Sequence, residues 1–220
     1  MSESPSSTGR SATGASTRAT TTDVILDAAF RILARDGYQG LTARSVAEEA
    51  GTNLALVNYH FGGKKGLLLA LYDELERQRF ARQQAMYDHP SEPLSAKWRR
   101  ALAYYRSDLQ DGFVRVHHEL QAQGFADQEL AERGRQRVSA WGELLTEVAG
   151  RYLPELGVDM PTREVVAAFC AFWFGMEQLH LIGMDEAAMP YDAVLKRIGA
   201  WIEEREASTQ AAQFEAEPVG

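Results

Sequence analysis

The stretch GTNLALVNYHFGGKKGLL, residues 51–68, decides how this chain folds. It sets Asn53, Asn58, Tyr59 and His60 among aliphatics, where an ordinary surface helix carries Glu, Lys and Gln. It stops on Phe61-Gly62-Gly63 and restarts on Lys64-Lys65. Asn53 is a good N-cap, which predicts a helix from Leu54 to Phe61. Val57 and Phe61 lie one turn apart and are apolar, so they face a core. Leu54, Ala55, Asn58 and Tyr59 are left on the outward side. Just upstream, Thr42 caps a short helix with Val46, Ala47 and Ala50 inward, and Gly51 closes it. Two short helices across a tight turn form a helix-turn-helix, whose second helix enters the major groove of DNA.

Each outward group then has a DNA-directed reading and a plainer one. Asn58 can bond bidentately to adenine or simply be solvated, and Leu54 and Ala55 can meet thymine methyls or merely form helix. Tyr59 can donate its hydroxyl to a phosphate or pack on the first helix. His60 can donate to phosphate or bond a backbone carbonyl. Arg44 can reach the DNA or be an ordinary surface arginine. Asn53 stands at the entry of the same helix. Lys64 opens the fourth helix, where free N–H groups favour an anion and a cation is otherwise unfavourable, so a phosphate there explains it. Lys65 shares that logic.

Outward from this motif the pattern is helical throughout. Ile25, Ala28, Ala29, Ile32 and Leu33 form one stripe of a helix over 23–35, stopped by Asp36-Gly37. A long helix is expected over 64–86, then others over 95–110, 112–123, 127–152, 162–184 and 191–206. Residues 1–22 are Ser/Thr/Gly-rich and read as a disordered tail, as do 207–220. The domains expected are 23–68 for DNA and 69–206 for effector binding and dimerisation.

Residues 25–68, ILDAAFRILARDGYQGLTARSVAEEAGTNLALVNYHFGGKKGLL, resemble the DNA-binding domain of the tetracycline-repressor (TetR) family. The marks are the first-helix stripe, Gly37-Tyr38, Leu41-Thr42, Val46-Ala47, Ala50-Gly51, Tyr59-His60-Phe61, Lys64 and Leu67. The resemblance implies phosphate contacts from Thr42, Tyr59, His60 and Lys64, and base readout around Leu54, Ala55 and Asn58. It also implies dimerisation through the last two helices. The sequence departs from the family pattern at Gly63, usually small and polar, at Lys65, usually acidic, and at Asn58, commonly Tyr.

The formal charge is −8, but residues 1–83 hold ten Lys/Arg against nine Asp/Glu, so the acid lies in the C-terminal part. A DNA contact needs local basicity only. No apolar leader opens the chain, and the longest apolar run, 167–176, is too short to span a bilayer. A cytoplasmic, nucleoid-associated protein without membrane contact is expected, with Cys170 a small buried hydrophobe. The helix over 162–184 is apolar nearly all round. Its Ala167, Ala171 and Gly175 form a flat seam, and with Val194, Ile198 and Trp201 they predict a homodimer interface. Trp98, Tyr104, Tyr105, His117, His118, Trp141, Phe172 and Trp173 are candidates for a pocket that takes a small apolar or amphipathic effector.

Glu177 and His180 have metal-ligand spacing without a second copy, so no metal and no cofactor are expected. No phosphate-cradling loop or serine nucleophile motif points to an enzyme. The expectation is an all-α, ligand-responsive repressor that binds a palindromic operator as a dimer. Rival readings are a helical enzyme or metal-binding bundle, and an effector-free repressor or activator.

Overall fold

The computed structural model describes residues 20–87, 89 and 91–216, with side chains to residue 211. Among these residues the regular elements are all helices: α1 (Thr21–Gly40), α2 (Ala43–Glu49), α3 (Leu54–Phe61), α4 (Lys64–Tyr87), α5 (Leu94–Gln110), α6 (Phe113–Gln123), α7 (Gln128–Tyr152), α8 (Thr162–Leu181) and α9 (Tyr191–Ala216). The expected tail over 1–22 falls mostly outside the described residues. Its last two belong to α1, whose start is fixed by a capping box between Thr20 and Asp23. Helical geometry breaks at Gly37, where φ is 68°.

Two cores hold the chain. The first buries the α1 stripe with Val46, Ala47 and Val57, then Leu67, Leu68, Leu71, Tyr72 and Leu75 along the first half of α4. Each fully buried Ile or Leu there contributes roughly 1.5–3 kcal/mol. Val116 and Leu120 of α6 and Leu130 of α7 enter this same core. The helix-turn-helix is therefore packed onto the C-terminal helices as well as joined to them by α4. The second core gathers Leu102, Tyr105, Val114, Trp141, Leu145, Val166, Trp173, Met176 and Leu195, with Cys170 buried among them.

Two ends differ from the sequence reading. Helix α8 stops at Leu181, and α9 continues to Ala216 instead of ending at 206. The composition of 207–216 is small and polar, but Ala and Gln are strong helix formers. Thr209 Oγ1 donates to the Glu155 carbonyl (2.9 Å), which ties this extension to the turn after α7.

His117 is not in a pocket. It is buried in the first core, stacked on Phe113 and tilted against Tyr72. Glu76 and Arg137 approach it, with Arg137 Nε 2.6 Å from Glu76 Oε1 and His117 Nδ1 3.6 Å from the same oxygen. Burial holds the His117 imidazole well below its usual range, helped by the charges of Arg137 and Arg79 and by His118. Burial likewise pulls Arg137 down to about 10, still protonated at neutral pH.

Gly66 is required by packing. A Cβ there would sit 1.8 Å from the Phe61 carbonyl oxygen. Gly66→Ala should cost about 1–3 kcal/mol, read as a lower midpoint in chemical denaturation. A second outcome follows from His117. Its folded pKa is depressed, so the unfolded chain binds more protons below about pH 6.5. Stability should fall with pH below that value, by up to about 1.4 kcal/mol per unit from this group. His117→Gln should flatten that slope when denaturation midpoints are compared between neutral and mildly acidic buffer.

Candidate nucleic-acid interface

Helix α3 is presented outward by one buried residue. Val57 is fully buried, while Leu54, Ala55, Asn58, Tyr59 and His60 are all exposed. Tyr59 is 83% exposed, so its ring does not pack on α1. It meets His60 edge to face, with ring centroids 5.3 Å apart. Asn53 caps the helix, its side-chain oxygen accepting from the Leu56 N–H (2.8 Å). Gly62, left-handed at φ 67°, ends it. Thr42 is exposed and caps α2 through the Ser45 N–H (3.0 Å). Arg44 lies on the same outer side, 3.0 Å from Glu48 across an exposed i,i+4 pair.

The two lysines are placed differently from the phosphate clamp expected of them. Lys64 turns inward. Its Nζ donates to the Tyr38 carbonyl (3.0 Å) and lies 3.6 Å from the centre of the Tyr38 ring. Burial holds its ammonium below the usual lysine range. Lys65 reaches the start of α7, 2.9 Å from Asp127 and 3.1 Å from Glu129. Hydrogen bonds to Asp127 and then Glu129 raise its pKa. Both cations are taken up by elements far along the chain, which reading α4 alone does not reveal.

In the C-terminal part, a cavity of about 280 Å³ lies among α4, α5, α7, α8 and α9. Of the residues named for an effector pocket, Trp98, Tyr104, Tyr105, Trp141 and Trp173 line it. His117, His118 and Phe172 do not. His118 Nε2 lies instead 3.0 Å from Glu177 Oε2, and Phe172 packs against the second core. The sequence reading missed Arg79, Arg82, Asp108, Phe169 and Glu177, which line the cavity too. The polar run of α4 after Leu75 was the signal for the two arginines. Glu177 is buried and accepts from Trp173 Nε1 (2.8 Å), while His180 is exposed, so the pair does not converge as metal ligands would.

Ala167, Ala171 and Gly175 form an exposed stripe on α8. Val194 and Trp201 are partly exposed on α9. Ile198 differs from its expected place on a partner face: it is half-buried and lines the cavity, as Trp201 also does. No helix among the described residues is long and apolar enough to cross a membrane.

Residues 25–71 match the family of bacterial regulatory proteins, tetR family. An HTH-type transcriptional regulator BetI from Brucella anthropi is 39% identical over 54 residues. That match spans 24% of this chain and 28% of the relative. Over most of its length the chain shares its fold with a transcriptional regulator from Saccharomonospora viridis in complex with choline (TM-score 0.70, 21% identity, 83% of this chain and 95% of that one). A TetR transcription regulator from Haloarcula marismortui is similarly alike (TM-score 0.65, 22% identity, 89% and 96%). The match to the tetR family of bacterial regulatory proteins thus rests on residues 25–71, and the curated relatives are matched over little more than a quarter of their length.

Proposed function

We propose that this protein is a ligand-responsive transcriptional regulator that binds a palindromic operator as a homodimer and is released by a small-molecule effector. The observation that carries this reading is the outer side of α3. Five residues there are exposed on a helix held from behind by Val57, with no other element over them. Asn58 is the base reader, Leu54 and Ala55 supply apolar contacts, and Thr42, Tyr59 and His60 meet phosphates. Arg44 adds a cation at the edge, and Asn53 sets the angle of entry.

The two recognition helices of a dimer must lie one DNA turn apart, about 34–36 Å. The small-residue stripe of α8, with Val194 and Trp201 of α9, supports the pairing surface. The cavity supports an effector. Such a molecule shifts the balance only by binding one arrangement of the dimer better than another. The protein would act in the cytoplasm, on nucleoid DNA.

Selecting bound duplexes from a random pool tests the reading directly, since it should return an inverted repeat with half-sites one turn apart. No enrichment at moderate salt would end the proposal. Asn58→Ala should relax preference at one base pair per half-site, costing about 1–3 kcal/mol there. Lys65→Ala should leave sequence preference intact, because Lys65 is paired within the protein. On the pairing surface, Ala171→Glu should give monomers by light scattering and weaken operator binding. A dimer that persists would remove the α8 stripe from the interface.

A further inference from the structure

We propose that the molecule received by the α4–α9 cavity carries a carboxylate, and that Arg79 is the residue that selects it. This rests on the reading of that cavity as the effector chamber, and it names the head group. The chamber is mainly aromatic and aliphatic, and all four tryptophans of the chain line it. Its charged lining residues are Arg79, Arg82, Lys97, Asp108 and Glu177.

Hydrogen-bonding capacity separates these charges. Asp108 is 2.5 Å from Arg82. Glu177 has both oxygens engaged, one by Trp173 Nε1 (2.8 Å) and the other at 3.0 Å from His118 Nε2. Lys97 donates to the His89 carbonyl (2.8 Å), with Glu92 at 3.7 Å. Arg79 alone among them has neither an ion pair nor a hydrogen bond within the described residues. It faces the Trp141 ring, 5.6 Å from its centroid, and feels Glu76 and Asp108 only at longer range.

A guanidinium offers five N–H donors in a planar fork that matches a carboxylate. Tyr104 and Tyr105 also line the cavity, and a tyrosine hydroxyl can donate as well. Both lining carboxylates already have donors, Asp108 from Arg82 and Glu177 from Trp173 with His118 beside it, while the unpaired charged group is a donor, so the chamber suits a ligand head that accepts. Formal charge alone does not decide the matter, because Asp108 and Glu177 offset two of the three cations and Lys97 has Glu92 at 3.7 Å. The volume, near the lower end of the roughly 300–1,000 Å³ of ligand pockets, limits the body to a small aryl or alkyl group.

Tryptophan fluorescence of the full-length protein reads binding directly. The probes are phenylbutanoate and octanoate, their amides, and benzyltrimethylammonium. The acids should bind about ten-fold or more tightly than the amides. Arg79→Gln should erase that ratio while the amides bind as before, and Arg79→Lys should keep part of it. Circular dichroism checks that each variant is folded; if Arg79→Gln is not, the ratio in the wild type and in Arg79→Lys decides. Equal affinity for acid and amide, preference for the ammonium, failure of both acids, or an acid preference that survives Arg79→Gln overturns the proposal.

Operator affinity measured beside it separates the two readings. An acid that binds through Arg79 without changing operator affinity removes the effector role and leaves the head-group assignment standing. Release of the operator by the amide or the ammonium, with the acids inert, does the reverse.

Discussion

The end of α1 is held by α6, and the placement of α3 depends on that hold. Arg115 Nη1 donates to the carbonyls of Ala34 (3.0 Å) and Arg35 (3.4 Å), carbonyls that a terminating helix leaves without partners. Glu119 accepts from the Tyr38 N–H (3.3 Å). A Cβ at Gly37 would stand 2.8 Å from the Glu119 carboxylate, and the residue sits at φ 68°, so only glycine lets the two elements meet. Tyr38 then receives Lys64 on its carbonyl and on its ring. One turn of chain thus joins α1, α4 and α6, while Val116 and Leu120 close the apolar layer beneath.

That arrangement gives the cavity two physical routes to α3. One is α4 itself, whose first half is buried in the first core and whose middle brings Arg79 and Arg82 to the cavity wall. The same arginines line a second cavity, of about 300 Å³, closed on its other side by Phe30 of α1 and Phe113. The other route is α8 to α6, through Glu177 and His118, next in sequence to the Glu119 that grips α1. Packed interiors of this density move between discrete arrangements and do not deform smoothly. On the proposed function, a ligand that reorders the arginine layer would act on α4 and α6, the two helices packed against α1.

The helices were legible because their signals are local. The stripe of α1, the caps Thr42 and Asn53, and the stop at Gly62 each lie within a few residues of what they control. The outward side of α3 followed from the spacing of Val57 and Phe61 alone. What escaped was decided across the chain. Lys64 and Lys65 looked like free cations on their own helix, yet their partners are Tyr38, Asp127 and Glu129. His117 and His118 are adjacent in sequence and face opposite ways, one into the first core and one onto Glu177. Trp98, Trp141 and Trp173 were named from the sequence and line the cavity, whereas Trp201, expected on the partner face, lines it too. Aromatic spacing could not find Arg79, whose significance lies in lacking a partner.

The charge of the N-terminal helices is set by ion pairs. Arg31 and Arg35 are tied to Glu49, with Arg35 also at Asp36, Arg44 lies beside Glu48, and Lys65 bridges two acids of α7. Cations so engaged release fewer counterions from DNA than free ones, and each phosphate truly neutralised contributes about 0.9 to the salt slope. On the proposed function, affinity would then come less from charge than from neutral donors such as Thr42 and Tyr59 and from the close approach that Leu54 and Ala55 allow. On the proposed function, a surface of that kind would recognise DNA by fit, which is how a chain of net charge −8 would hold an operator.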